Sequence, residues 1–303
     1  MLRWLLLFIN TLWKKKDNIL SLYRMKIYRL IYFLALSLLV SCTSSEHIRV
    51  GKSIGRWDGF GVESMKQYNA SGVEYLEVTI NPLIKHDRSK AYERARKLSE
   101  EIREAEMHVW SVHLPFSRSL DISVLDDSLR RANIDFIKEM IRLAGMFHPK
   151  YLVLHPSSEP IADEDRTKRL LNSHVSIGEL ATVAKEIDAF ICVENLPRTC
   201  LGQTGEEMMQ LIDGYDDVFL CFDTNHLFYQ SHSDYLRAIP KGKIKTLHLS
   251  DYDFVNESHL PPGQGKINWQ ELLKGIKENG YCGVMMFECD ASPEEMLDCL
   301  SLR

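Results

Sequence analysis

The feature that most constrains this chain is an eightfold alternation of short, apolar, β-rich runs with longer amphipathic stretches. The strand candidates occupy residues 48–53, 75–80, 109–114, 151–155, 190–194, 218–223, 244–249 and 284–288. Helical patterns lie between them, for example at residues 90–106, 125–147, 166–187 and 269–279. Near-continuous apolar strands separated by helices predict a parallel sheet covered by helices.

The number of these units fits one domain of the α/β class. Eight strand–helix units in roughly 260 residues match a single (β/α)₈ TIM barrel, which typically has about 250 residues. We therefore predict a TIM-barrel catalytic domain over residues 42–303. A doubly wound open sheet is the alternative, but no Gly-x-Gly-x-x-Gly follows the first strand, so a nucleotide-binding Rossmann domain has no support.

The first 41 residues have the composition of a secretory signal. A basic stretch at 25–29 precedes an apolar run at 30–40, which is short for a membrane span of about 20 residues. The run ends in Leu39-Val40-Ser41-Cys42, which resembles a bacterial lipobox. We expect translation to start at Met25 and Cys42 to be lipidated, giving a membrane-anchored lipoprotein that faces the periplasm or the cell surface. An ordinary thiol at Cys42 and a translated segment 1–24 are the alternatives.

Charge argues against a nucleic-acid partner. The whole chain has a formal net charge of −5, but residues 42–303 carry 30 basic and 41 acidic side chains, a net charge of −11. Affinity for a phosphate backbone comes largely from Lys and Arg, so a body this acidic is poorly suited to it.

Six cysteines follow Cys42 in the predicted domain, and none of them forms a Cys-x-x-Cys pair. They are Cys192, Cys200, Cys221, Cys282, Cys289 and Cys299. Because three of them lie in or beside apolar strand-like runs, we expect buried neutral thiols rather than disulfides.

Six consecutive predicted strands end in a carboxylate or an imidazole. The residues at these ends are His113, His155, Glu194, Asp223, His248 and Glu288, and His226 follows the sixth strand. In a barrel the carboxyl ends of the strands converge on one mouth. One such residue alone is more often a hydrogen-bonded neighbour or a helix cap. Three acids in one cavity, however, must raise one another's pKa or bind a cation.

The donor set favours a hard divalent ion. Three carboxylates (Glu194, Asp223, Glu288) and one imidazole (His248) suit Mn²⁺ best, with Mg²⁺ or Co²⁺ as alternatives. Zn²⁺ is a further alternative if more of the histidines coordinate. We predict one ion per chain.

The residues at the strand ends and one loop motif together resemble those of a known family. The set resembles the sugar isomerase/epimerase superfamily with xylose-isomerase-like barrels, which also includes the apurinic endonucleases. The most specific piece is Leu247-His248-Leu249-Ser250-Asp251 followed by a His-x-x-x-Gly-x-Gly-x-Ile-x-Trp run from His259 to Trp269. The resemblance covers roughly residues 48–290. It implies a divalent ion held by the same four residues, with Glu194 and Glu288 facing each other across the substrate as acid and base.

The first functional hypothesis is an isomerase or epimerase that acts on an unphosphorylated sugar or keto sugar. One glutamate would remove a proton next to the carbonyl and the other would return one, through an enediolate. The expected substrate-binding residues are His113, His155, His226, His259 and Glu77. A small carbohydrate is the expected partner, and a homo-oligomer is left open.

The second hypothesis is a metal-dependent phosphodiester hydrolase. The histidines and acids resemble nearly the full multinuclear set of the apurinic endonucleases. However, Glu257-Ser258-His259 stands where that family has Asp-x-His, which puts a third metal in doubt. A lyase or hydrolase acting on 3-keto glycosides shares the enolate chemistry. A non-catalytic sugar-binding lipoprotein would not need both Glu194 and Glu288.

Overall fold

The computed structural model describes residues 48–55, 60–85 and 87–301. The predicted signal segment, Met25 and Cys42 lie outside these residues, so their assignments stay predictions. None of the helices within the described residues is long and apolar enough to cross a membrane.

Eight parallel strands form the centre of the fold. They are β1 (Val50–Ile54), β2 (Val73–Thr79), β3 (His108–His113), β4 (Tyr151–Leu154), β5 (Phe190–Glu194), β6 (Val218–Asp223), β7 (Ile244–His248) and β8 (Met285–Phe287). Their order in the sheet is β7-β6-β5-β4-β3-β2-β1-β8. The two ends of this sheet meet at a parallel bridge between Leu249 and Phe287, so that the barrel is nearly closed. The predicted TIM barrel is therefore confirmed.

Helices separate the strands, as the amphipathic patterns predict. They are α1 (Val62–Ala70), α2 (Asn81–Ile84), α3 (Ala91–Glu104), α4 (Asp127–Ala144), α5 (Asp163–Ala184), α6 (Gly205–Ile212), α7 (His232–Ala238), α8 (Trp269–Glu278) and α9 (Pro293–Ser301). Several begin at a capping side chain. The Asp126 carboxylate accepts from the Leu129 amide, and the Asn268 side chain accepts from the Glu271 amide. Such caps satisfy amides that the first turn leaves unpaired.

The inside of the barrel is filled by apolar side chains below the mouth. One cluster of buried residues comprises Trp110, Tyr151, Val153, Cys192, Cys221, Val284 and Met286. A larger cluster packs the outer side of the strands against the helices. Since the interior is a packed core, the space for chemistry is left at the carboxyl ends of the strands.

All six cysteines that follow Cys42 are free, as expected, but they are not all buried. Cys282 is exposed and Cys299 is partly buried, whereas the other four are buried. Burial raises the pKa of the Cys192 and Cys221 thiols well above the ordinary value, so these two are neutral. The expectation of buried thiols was wrong for Cys282, because it lies in the turn before β8 and not in a strand.

Candidate metal centre at the barrel mouth

The structure brings four of the predicted residues together at the mouth. Ligand atoms of Glu194, Asp223, His248 and Glu288 all lie within 4.8 Å of one another. We call these four residues the primary cluster. Three of them end strands β5, β6 and β7, and the fourth follows β8 directly. They meet because parallel strands in a barrel end on the same rim.

Glu194 lies at the centre of a ring of imidazoles. Its Oε2 atom is 3.1 Å from Nε2 of His113 and 3.1 Å from Nε2 of His155, and its Oε1 atom is 3.3 Å from Nδ1 of His248. The side chain is almost fully buried. Burial alone would raise its pKa, but the charges of His248 and His155 and the hydrogen bond from His113 outweigh burial and hold the pKa well below the ordinary value. Glu194 is therefore a carboxylate throughout the neutral range.

Asp223 has one oxygen engaged and one unsatisfied. Its Oδ1 atom accepts from the Asn225 amide at 2.6 Å. Its backbone amide donates to Oδ1 of Asn195, whose side-chain nitrogen donates back to the Asp223 carbonyl. The other carboxylate oxygen, Oδ2, is buried and has no hydrogen-bond partner. This oxygen faces the imidazole of His248 at 3.6 Å, on the side of the primary cluster.

His248 contacts carboxylates on both sides of its ring. Nδ1 is 3.1 Å from Oε2 of Glu288, and Nε2 is 2.8 Å from Oε1 of Glu77. When Nδ1 binds a cation, the proton of a neutral His248 belongs on Nε2, the nitrogen that faces the Glu77 carboxylate. Both ring nitrogens are buried, and neither makes a hydrogen bond of normal geometry.

The position of Glu77 corrects the expectation that it binds substrate. Its side chain is fully buried, and it accepts hydrogen bonds from Ser53 Oγ at 3.0 Å and Ser111 Oγ at 2.7 Å. The carboxylate thus lies behind His248 rather than in the open mouth. A carboxylate behind a metal-binding imidazole fixes the ring and its tautomer.

These contacts fit a divalent ion. An unpaired buried carboxylate oxygen on Asp223 and an unpaired buried ring nitrogen on His248 are each costly when nothing binds them. Glu194 and Glu288 add two further carboxylates within the same small volume. The primary cluster therefore has the donors of an oxygen-rich cation site, with Glu77 as support.

A second group lies beside the first. Ligand atoms of His226, Glu257 and His259 lie within 4.8 Å of one another, and we call these three residues the outer cluster. Nδ1 of His226 donates to the Asn195 carbonyl at 2.9 Å, and its Nε2 is 3.2 Å from Oε1 of Glu257. Glu257 also pairs with Arg198. Burial would raise the pKa of Glu257, but His226 and Arg198 lower it to about 2.

The loop that carries the outer cluster is organised by Asp251. Its carboxylate accepts from the Gly263 and Ile267 amides at 2.8 and 3.1 Å and from the Trp269 indole nitrogen at 3.1 Å. A Cβ at Gly265 would lie 2.3 Å from an Asp251 oxygen, so that only glycine fits there. The glycines and the tryptophan of the sequence motif thus hold the loop, and His259 is presented at its start.

The structure also identifies residues that sequence reasoning missed. Glu257 appeared only as a departure from a family pattern, yet its side chain contacts His226. Phe116 received no role, although its ring stacks on His155 with a centroid distance of 4.6 Å. Its position three residues after His113 on a strand-end loop is the one signal in the sequence that could have pointed to it.

Comparison with known proteins decides the family. A model of the xylose isomerase-like TIM barrel matches residues 64–300, most of the chain. This chain belongs to that family.

Several solved members of the wider fold resemble this xylose isomerase-like barrel. A D-psicose 3-epimerase crystallised with D-fructose is 16% identical, covers 84% of this chain and 98% of its own, and has a TM-score of 0.68. A 3-keto-D-glucoside 4-epimerase from E. coli is 14% identical, with the same coverages and a TM-score of 0.65. At such identities these likenesses show the shared fold.

Curated relatives of this family member cover several chemistries. A probable endonuclease 4 of Mycoplasmopsis synoviae is 27% identical over 188 residues, 56% of this chain and 65% of the relative. An inosose dehydratase of Serratia proteamaculans is 27% identical over 158 residues, 45% of this chain and 51% of the relative. The matched stretches span less than two thirds of the length of these relatives.

Proposed function

We propose that this protein is a divalent-metal-dependent isomerase or epimerase of a sugar or keto sugar. The observation that carries the proposal is the placement of two glutamates, from β5 and from the end of β8, around one cation-binding set of atoms. Nδ1 of His248 lies 3.3 Å from Glu194 and 3.1 Å from Glu288. A sugar bound over the primary cluster would therefore lie within reach of both carboxylates.

The four residues of the primary cluster would hold the ion, with Mn²⁺ favoured by the oxygen-rich donors. A bound divalent ion supplies Lewis-acid polarisation of the substrate carbonyl, which acidifies the neighbouring C–H. The remaining steps belong to the protein side chains. One glutamate accepts the proton from that carbon, and the second donates a proton to the opposite face or to the adjacent carbon.

The lowered pKa values support this assignment of a base. The pKa of Glu194 and that of Glu288 are both held below the ordinary value, in each case because nearby imidazoles outweigh the effect of burial. Both carboxylates are thus ionised, so that either can accept the proton from carbon; the glutamate that returns a proton must first take one from a substrate hydroxyl or from water. We expect His155 and His226, which flank Glu194, to contact hydroxyl or carbonyl oxygens of a sugar.

The test replaces each glutamate by its amide. Glu194→Gln and Glu288→Gln keep the shape of the side chain and one oxygen but cannot accept a proton. General acid–base assistance contributes roughly 10²–10⁴-fold in rate, so proton exchange should fall by about that factor. Exchange into candidate ketoses in D₂O is followed by NMR, beside the metal content of each variant. Glu93→Gln, on the exposed side of α3, is the matched control.

A glutamine variant that holds its metal and exchanges at the wild-type rate would rule out the two-glutamate mechanism. The same experiment with 3-keto glycosides separates epimerisation from elimination, because a lyase or dehydratase releases a leaving group after the same proton abstraction. The measurement with 3-keto glycosides therefore also tests for elimination, the class of reaction in the name of the inosose dehydratase relative.

A second candidate function, phosphodiester hydrolysis, is favoured by one specific observation. The outer cluster could provide a further ion position next to the primary cluster, as multinuclear hydrolysis requires. Cleavage of a duplex oligonucleotide that carries one abasic site tests this candidate. Metal-dependent cleavage that His259→Ala abolishes would support it. The net charge of −11 over residues 42–303 argues against it.

We also propose that the mature protein is an exported lipoprotein anchored through Cys42. Support comes from the apolar run at 30–40 followed directly by the lipobox-like residues. Mass spectrometry of the N-terminus from bacterial membranes should find a lipid-modified Cys42 as the first residue. An unmodified Cys42 with residues 25–41 still attached would contradict the anchor.

A further inference from the structure

A cavity of about 940 Å³ opens beside the metal centre on the same rim of the barrel. Its described walls come from the segments that follow β1, β2 and β3, starting with Gly55, Asn81 and Pro115, and from α4. Since these segments leave the carboxyl ends of their strands, the cavity faces the same side as the primary cluster. Its volume is at the upper end of the range found for small-molecule sites, about 300–1,000 Å³, so it has room for more than a water cluster.

Phe116 is the wall shared by the cavity and the metal centre. The ring lines the cavity, lies 4.6 Å from the His155 ring at an angle of 27°, and lies 4.8 Å from the His113 ring. The Asn81 side chain fixes the Phe116 backbone from both directions, donating to its carbonyl at 2.8 Å and accepting from its amide at 3.1 Å. The cavity and the metal centre are therefore adjacent spaces that share the Phe116 ring as a wall.

Among the residues that the structure describes, the charged side chains in the cavity wall are all basic. Lys85, Arg88 and Arg94 line it, and the described lining residues include neither Asp nor Glu. Arg94 donates to the carbonyls of Leu83 and Lys85 at 2.8 and 3.0 Å, which holds its guanidinium in the wall. The charge of this wall is opposite in sign to that of the chain from residue 42 onward, which carries a net charge of −11.

Two acids lie close to the basic wall. Glu139 pairs with Arg88, whose guanidinium also lies 4.2 Å above the Phe136 ring. Asp87 accepts from the backbone amide and the hydroxyl of Ser89 and keeps its negative charge near Arg94. The three basic side chains of the wall therefore outnumber these acids by one. The primary cluster has the opposite character, since three of its four residues are carboxylates.

We propose that this cavity receives an acidic group of the substrate, so that the preferred substrate is an acidic sugar. The group would be a carboxylate, a sulfate ester or a phosphate ester, all of which Lys and Arg bind through charge-assisted hydrogen bonds. The proposal rests on the proposed function, because it places the reacting carbons of that sugar at the primary cluster. Its acidic end then lies beyond Phe116 in the basic cavity.

The experiment uses the Mn²⁺-loaded protein and matched sugars that differ at one carbon. D-Fructose is compared with D-fructuronate, in which a carboxylate replaces the terminal hydroxymethyl group, and with the 6-sulfate and 6-phosphate esters. Titration calorimetry should show at least one acidic sugar binding about ten- to a hundredfold more tightly than D-fructose. Which of the three binds best identifies the acidic group.

Variants assign the preference to the cavity. Lys85→Ala with Arg88→Ala should reduce the preference for the acidic sugar to less than about threefold while leaving the affinity for D-fructose unchanged. Lys97→Ala is the matched control, because Lys97 is an exposed basic residue of α3 outside the described lining. Equal affinity for the neutral and acidic sugars, or a preference that survives the double substitution, would overturn the proposal.

Proton exchange in D₂O separates this inference from the proposed function. Exchange that proceeds equally well on D-fructose and on every acidic sugar overturns the inference and leaves the isomerase proposal standing. An acidic preference that depends on Lys85 and Arg88, without exchange on any sugar, supports the cavity and overturns the isomerase proposal. Cleavage of an oligonucleotide that depends on these two residues would overturn both.

Discussion

The primary and outer clusters lie side by side at the barrel mouth, yet their side chains are satisfied in different ways. In the primary cluster, Asp223 and His248 each keep a buried atom without a hydrogen-bond partner. In the outer cluster, Glu257 is already paired with Arg198, and His226 already donates to a backbone carbonyl. Two groups with similar residue types therefore differ in how much each would gain from a cation.

This difference teaches that residue type alone does not define a metal site. A buried carboxylate without a cation is costly, and Arg198 removes that cost at Glu257. At the primary cluster, among the residues that the structure describes, no Lys or Arg forms an ion pair with Asp223 or Glu194, whose charged neighbours are histidines. We therefore expect the first ion to bind at the primary cluster and the outer cluster to contact substrate.

The largest expected effect is loss of the metal from the primary cluster. Asp223→Ala or His248→Ala should reduce the bound metal from about one ion per chain to almost none, because each removes one of four ligands. His259→Ala, in the outer cluster, should keep the ion. Elemental analysis after gel filtration measures the content. Full occupancy in both primary-cluster variants would mean that the ligand set is wrong.

A smaller effect is expected from the carboxylate behind His248. Glu77→Gln should weaken the affinity for Mn²⁺ by about 10–100-fold, the usual range for the partner of a metal-binding imidazole. Titration calorimetry measures this change, and the absorption spectrum of the Co²⁺-loaded protein reports the altered ligand geometry without reference to activity. Ser53→Ala, which removes one hydrogen bond to Glu77, is the milder control. An unchanged affinity in Glu77→Gln would leave Glu77 with a packing role.

The Arg198→Gln substitution is expected to reduce the difference in cation affinity between the primary and outer clusters. Without its guanidinium partner, Glu257 becomes available, and a second, weaker ion should bind at the outer cluster at millimolar metal. Calorimetric isotherms of metal binding should change from one binding step in the wild type to two in the Arg198→Gln variant. Arg118→Gln is the matched control, since Arg118 is largely exposed and lies 3.7 Å from Glu159, a residue that Arg198 also contacts. A single step in both variants would show that the ion pair does not decide the occupancy.

The smallest effect concerns the stability of the metal-free protein. The pKa of Glu257 is lowered to about 2, below an unfolded value of about 4.3. A lowered pKa stabilises the folded state above the unfolded pKa, and this contribution is lost as the pH falls from about 4.3 towards 2. Because the pair is partly exposed, Arg198→Gln should cost at most about 1 kcal/mol at pH 7. Urea unfolding at pH 7, 5 and 3 should show this cost shrinking at the lowest pH.

The strand ends show how much of the site could be predicted from the sequence. The bounds of β5 and β6 agree with the predicted runs, and the other strands differ by one or two residues at one or both ends. Glu194 and Asp223 were located because apolar strands end in them, and the parallel barrel then forces these ends together. The metal-binding role of these residues stays a prediction that the contacts support.

Glu77 shows why the contacts of the site residues could not be predicted from the sequence. Alternation along β2 puts Glu77 on the same face as Tyr75, which packs against the interior cluster, but it does not identify the partners found there. The Glu77 carboxylate is directed towards Ser53, Ser111 and His248 in the interior. These contacts depend on how neighbouring strands are aligned, and the register of β2 against β3 shifts between Leu76 and Glu77.

The sequence by itself determined the barrel and the set of residues at its mouth, because hydrophobic periodicity fixes the elements and parallel closure fixes where their ends meet. Only the tertiary structure decided what each of these residues contacts. It placed Glu77 behind His248, paired Arg198 with Glu257, and left one oxygen of Asp223 unsatisfied. These outcomes depend on distances of a few ångströms between loops and strands far apart in the chain, and packing alone sets such distances.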